Sequence, residues 1–160
     1  MTAFATSNPA FALDTLVALA AQHFGKTGTL RPLPSERDQN ARLVCQDGEY
    51  VLKIANPAED PGQIDLQNAT MLHLAQVGQA GIPRVVPTLS GADRATVSVN
   101  GQPAALRLVS WIGGTPLAEA PRSLEQLANL GHFMGGLTRS MQGFGHPQAF
   151  RPDFPWSLTM

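Results

Sequence analysis

Two turn dipeptides, Asp47-Gly48 and Asn100-Gly101, each sit between runs of alternating apolar residues, and they constrain the fold more than any other feature. Such pairs tolerate positive φ and turn a strand back on itself as an antiparallel hairpin. The first joins residues 41–45 to 49–55, inside a period-two region that begins at Thr29. The second joins 96–99 to 104–109. Around them the period changes. Leu13, Leu16, Val17, Ala20 and Phe24 recur at three- and four-residue steps between Asn8-Pro9 and Gly25, an amphipathic helix with both ends marked. Asn56-Pro57 breaks the strand, and Ile64, Met71, Leu72 and Ala75 carry a second helix that closes at Gly78. A short strand is predicted over 85–89. Ser123 with Gln126 forms a capping box, and Leu124, Leu127, Gly131, Met134 and Thr138 extend a third helix toward Gly143. Inside it Gly131, Gly135 and Gly136 each cost about 1 kcal/mol against alanine, so a second backbone is expected close by. The order helix, hairpin, helix, strands, helix predicts an α+β fold. It has an antiparallel sheet of about five strands, a helix packed across one face, and flanking N- and C-terminal helices.

Charge narrows the function classes. Formal net charge is -1 and the pI near 6.4, which gives a polyphosphate backbone no positive field, so a nucleic-acid partner is not expected. No apolar run approaches the ~20 residues needed to cross a bilayer, so no membrane partner is expected either. Cys45 is the single cysteine and no secretory segment opens the chain, which points to a reducing, cytoplasmic setting. Charged residues make up 14%, against about 25% in ordinary soluble domains, so part of the surface is expected to be covered. His23, His73, His132 and His146 fit neither a zinc-ligand spacing nor a nucleophile motif.

Several stretches resemble one superfamily. They are Leu33-Pro34-Ser35-Glu36-Arg37-Asp38-Gln39-Asn40, Tyr50-Val51-Leu52-Lys53-Ile54-Ala55-Asn56, and Leu66-Gln67-Asn68. Further on come Val86-Pro87-Thr88-Leu89-Ser90-Gly91, Ser110-Trp111-Ile112-Gly113-Gly114-Thr115-Pro116-Leu117 and Asp153-Phe154-Pro155-Trp156. Together they look like the amino-terminal lobe of the aminoglycoside phosphotransferase and choline kinase superfamily, in particular its hydroxylysine kinase and aminotransferase-fused branches. The resemblance covers nearly the whole chain, and residues 35–40 are its most distinctive part. It implies a protein-kinase-like small lobe that binds ATP or GTP with Mg2+.

Strand alternation puts Val51, Lys53 and Ala55 on one face and Tyr50, Leu52 and Ile54 on the other, so the first face is apolar with one cation. The resemblance makes Lys53 the residue that reaches the nucleotide phosphates and sets Val51 against adenine. A lysine on an arbitrary strand more often snorkels to solvent. Residues 35–40 take the place of the loop over the phosphates, where backbone N–H groups and the Ser35 hydroxyl can bind an anion. They contain no glycine, unlike the protein-kinase loop, and a solvated hairpin connection is the other reading. Asn68 stands where the superfamily's helix glutamate would pair with the strand lysine. An amide cannot replace that charge. It could hydrogen-bond Lys53 or lie exposed, and Asp65, one turn earlier, could supply the anion. Ser110, Trp111 and Ile112 follow the last predicted strand, where the resemblance implies an interlobe hinge whose main chain contacts adenine, although a tryptophan there also serves as a packing residue.

Phosphoryl transfer also needs a base and magnesium-binding carboxylates. No His-Gly-Asp loop occurs, and Asp153-Phe154-Pro155 has proline where the metal-binding motif has glycine, so no catalytic or metal-ligating residue is expected in this chain. Residues 1–112 then read as the small lobe and 113–160 as hinge, helix and the start of a second lobe. Such a piece is expected to be inactive by itself, to dock on its own C-terminal lobe in the parent protein, and to dimerise through its uncovered cleft face. A non-catalytic, kinase-like interaction module is the alternative.

Overall fold

A computed structural model describes residues 8–150 of the chain. The Asp153-Phe154-Pro155-Trp156 stretch lies outside them. Helix α1, Leu13–Phe24, has the predicted bounds and ends on Gly25, whose φ of +65° continues the chain in the left-handed region that favours glycine. Strands β1 (Thr29–Leu33), β2 (Gln39–Cys45) and β3 (Gly48–Ile54) follow as an antiparallel meander. Helix α2, Pro61–Gln76, starts where Asp60 accepts a hydrogen bond from the Gly62 N–H at 2.8 Å and Pro61 supplies a preset φ. Strands β4 (Val85–Val86), β5 (Ala95–Val99) and β6 (Gln102–Ser110) complete the sheet before α3, Leu124–Ser140. A short 3-10 turn covers Pro147–Ala149.

The sheet has six strands where about five were expected, in the order β1-β2-β3-β6-β4, with β5 also paired to β6. All pairs are antiparallel. Long β6 is central: its Leu106–Ser110 part pairs β3 along one edge, while β5 and β4 share the other. Two local expectations shift. The first hairpin turns at Gln46-Asp47, with Cys45 opposite Gly48, because Gly48 uses its positive φ at the start of β3. The strand expected over 85–89 stops at Val86, since Pro87 has no N–H for a ladder and the Leu89 N–H bonds the His23 carbonyl at 2.8 Å. The Asn100-Gly101 turn is as expected, with φ of 51° and 81° and Val99 opposite Gln102.

Alternation gives the sheet two unlike faces. Leu43, Leu52, Ile54, Leu106 and Leu108 bury against Leu16, Ala20 and Phe24 of α1, forming the main core. The N-terminal helix is therefore part of the core. Helix α2 lies on the opposite face, where Ile64 packs with Ala55 and Ala105. Val51, Lys53, Arg107 and Val109 share that face farther along. Helix α3 contributes no buried residue. Its glycines were expected against a second backbone; among the described residues nothing lies within 4 Å of a Cβ position at Gly131 or Gly135.

Because α1 closes the core, Leu16→Ala, at a residue 2% exposed, is expected to cost about 2–5 kcal/mol in urea unfolding. Leu13→Ala, at a half-exposed neighbour, should change stability by roughly 0.5 kcal/mol or less. Equal effects would contradict this placement of the helix.

Candidate functional site

Sheet register builds the site. Asn40 of β2 lies opposite Lys53 of β3, and Lys53 opposite Arg107 of β6, so three side chains form one row across the face. In the next row Arg42, Val51, Val109 and Val85 lie side by side. Helix α2 overhangs these rows and leaves a groove of about 650 Å³ between the sheet, the helix and the segment after β6. Val51, Lys53, Leu66, Met71, Val109 and Trp111 are among its lining residues. The size suits a small-molecule ligand.

Lys53 Nζ donates to Asn40 Oδ1 at 2.9 Å, and Asn40 Nδ2 donates to Ser35 Oγ at 3.0 Å. Through this relay the β1–β2 connection is tied to the lysine. The connection is pinned from behind as well: the Asn56 N–H bonds Asp38 Oδ1 at 3.1 Å and Asn56 Nδ2 bonds the Arg37 carbonyl at 3.2 Å. Ser35 itself lines a different, smaller cavity and meets the groove through Asn40. Burial pushes the Lys53 ammonium below its ordinary 10.5; the charge of Asp38 pulls it back up, and Arg107 pushes it down again.

The helix residues expected to serve Lys53 serve other cations. Asn68 is fully buried, and its Oδ1 accepts from Arg107 Nη1 at 3.2 Å. Asp65 pairs with Arg94 at 2.9 Å, because its place on α2 turns it toward the segment preceding β5. Neither contacts Lys53 within hydrogen-bond reach. The face expected to carry one cation carries two. Arg107 had a signal in the sequence: it is the one charged residue within the apolar run 104–109, on the same alternation face as Ala105 and Val109.

At the end of β6 the main chain is partly committed. The Ser110 N–H bonds the Arg84 carbonyl and the Trp111 N–H bonds the Glu49 carbonyl, both at 2.9 Å. Ser110 Oγ accepts from the Arg84 N–H. The Ile112 N–H bonds none of the described residues, so this exposed position can donate to a ligand. Trp111 lines the groove while the Arg42 guanidinium, held by Glu49, sits 4.5 Å from its ring centroid.

A model of the phosphotransferase enzyme family (APH) matches residues 29–158. The chain belongs to this family. It is 29% identical to hydroxylysine kinase of Mus musculus and 30% to that of Bos taurus, each over 96% of this chain and 46% of the relative. The chain therefore spans about half the length of these curated relatives. Among solved structures it superposes on an amicoumacin kinase in complex with AMP-PNP, Ca2+ and Ami, at a TM-score of 0.72 and 16% identity, over 86% of this chain and 42% of that one. A microcompartment-associated aminopropanol kinase gives 0.68 at 20% identity, covering 90% and 45%. Spectinomycin phosphotransferase, in complex with ADP and spectinomycin, gives 0.61 at 13%, covering 87% and 40%. These likenesses show that the fold is kinase-like.

The depressed ammonium has a consequence for stability. Between its folded value and 10.5 the unfolded chain holds more protons at this site, so Lys53 makes stability rise with pH across that window. Urea unfolding of wild type and Lys53→Met, from neutral to about pH 10, should show the wild type gaining on the variant as pH rises. At neutral pH the variant should equal or exceed wild type by ~1 kcal/mol, since a poorly compensated buried charge is gone. A loss of several kcal/mol would contradict this.

Proposed function

We propose that these residues form the nucleotide-binding lobe of a small-molecule kinase, which transfers phosphoryl from ATP or GTP to a hydroxyl of an amino acid, amino alcohol or aminoglycoside. The observation that carries this reading is the placement of Lys53: a half-buried ammonium in a groove between sheet and helix, held by the neutral amide of Asn40. Among the described residues no carboxylate lies within ion-pair distance of it. A phosphate oxygen can take over the bond from Asn40 and supply the countercharge. Val51 and Val109 offer an apolar wall to a purine, and the Ile112 N–H a main-chain donor at its edge. The nucleotide would supply the transferable phosphoryl group; Lys53 orients it and offsets its charge.

Among the described residues no three His, Cys, Asp or Glu side chains gather as a metal site, so no step is assigned to Mg2+ within this segment. The reading assigns the metal ligands and the base for the acceptor hydroxyl to a second lobe of a longer protein, in keeping with relatives about twice as long. Residues 1–112 would be the small lobe, and 113–160 the hinge and the start of the next. Leu124, Leu127 and Met134, 86%, 63% and 50% exposed, form an apolar stripe on α3 that such a lobe would cover.

Titration of the chain with ATP and Mg2+ by calorimetry should show weak binding, lowered about tenfold or more by Lys53→Ala. No phosphate should reach amino-alcohol acceptors. Turnover by these residues would refute the division of labour, and absence of nucleotide binding would favour a non-catalytic scaffold. With the α3 stripe and groove uncovered, light scattering should show a dimer as concentration rises; a monomer throughout would contradict self-association through these surfaces.

A further inference from the structure

The nucleotide reading leaves one cation without a task. Arg107 is 2% exposed, yet among the described residues its guanidinium meets no carboxylate at ion-pair distance. Its nitrogens are held unequally. Nη1 donates to Asn68 Oδ1 at 3.2 Å and Nη2 to Gln67 Oε1 at 2.9 Å, while the buried Nε has no hydrogen-bond partner among the described residues. A buried charge satisfied by neutral amides alone is costly, and an approaching anion relieves that cost. The two amides also differ. Asn68 is 0% exposed and is itself fixed by donating to the Asp93 carbonyl at 3.3 Å. Gln67 is exposed and free to turn outward. Nη1 is therefore clamped, and Nη2 sits on an exchangeable partner.

Lys53 is the direct cross-strand neighbour of Arg107, and both line the same groove. We propose that Arg107 is a second anion-binding residue of this site, and that its Nη2 passes from Gln67 to a phosphate oxygen while Lys53 binds a neighbouring one. The ligand class is a di- or triphosphate ester; that identity rests on the nucleotide reading, whereas the two-cation anion site rests on the side chains alone. Asn68 gains a reason in this arrangement. A carboxylate at that position would neutralise Arg107 before any ligand arrived, and the amide orients the guanidinium while leaving its charge available.

Calorimetry on the full chain with ATP, adenosine and inorganic tripolyphosphate tests this. Arg107→Gln removes the charge. Asn68→Asp keeps Arg107 and the shape of its partner but neutralises it, which guards against a first variant that fails to fold. Each should weaken ATP and tripolyphosphate about tenfold or more and leave adenosine unchanged. Wild-type affinity for ATP in both variants, with Lys53→Met losing it, would overturn the assignment of Arg107 and leave the nucleotide reading standing. Parallel loss of adenosine would overturn it too, since Arg107 would then only dock α2. Arg107-dependent binding of tripolyphosphate with no advantage for ATP would uphold the anion site and remove the nucleotide. No binding of any probe by wild type overturns the inference.

Discussion

Two cations side by side on one face of a sheet, Lys53 and Arg107, are the constraint around which the rest of the structure is arranged. Carrying both charges into a half-buried row opposes folding, and the chain offsets this with amides: Asn40 on the lysine, Asn68 and Gln67 on the arginine. Carboxylates would have stabilised the row more. They would also have removed the positive field in the groove. Under the proposed function, the stability forgone is what would let the site gain from an anion, a trade common where binding geometry is held against the interests of the fold.

Neighbouring elements can be understood through what they hold in that row. The connection 34–38 is pinned by Asn56 behind it and by Asn40 beside it, so a segment without glycine keeps a defined course near Lys53. Helix α2 touches the sheet through Ile64 at one end and Asn68 in the middle. It also meets the segment before β5, through Asp65 with Arg94 and Asn68 with the Asp93 carbonyl, and the chain after β6: Gln63 Nε2 bonds the Gln148 carbonyl at 3.2 Å, and His73 Nε2 meets the Ser140 carbonyl at 2.8 Å. The helix thus bridges the sheet and the chain from Ser140 to Gln148, while the groove beneath it is bounded by the sheet, the helix and residues 110–112. On the far face the core between α1 and the sheet is built from apolar side chains such as Leu16, Phe24, Leu43, Leu52 and Leu108.

Much of this was legible in the sequence. The period switch at Thr29, the Asn100-Gly101 turn, the Ser123 cap and the face assignment of Val51, Lys53 and Leu52 follow from local rules, because each rests on residues within one or two turns of the chain. The partners of the charged groups were not legible. Whether Asn68 meets Lys53 or Arg107, and whether Asp65 meets Lys53 or Arg94, depends on strand register and the rotation of α2, which pair residues 25 or more apart. Arg107 was not among the expected site residues; it is the one charged residue in the run 104–109, and only the β3–β6 register shows that it borders Lys53. The glycines of α3 promised a close backbone that the described residues do not provide.

Whether the Lys53 ammonium meets the phosphates of a nucleotide in the groove under α2 decides the proposed function. Diffraction from crystals of the chain grown with a non-hydrolysable ATP analogue addresses it directly. A phosphate oxygen is expected within ~2.7–3.2 Å of Lys53 Nζ, with the purine against Val51. An analogue bound elsewhere, with Lys53 still on Asn40 and the groove closed by its own side chains, would contradict it.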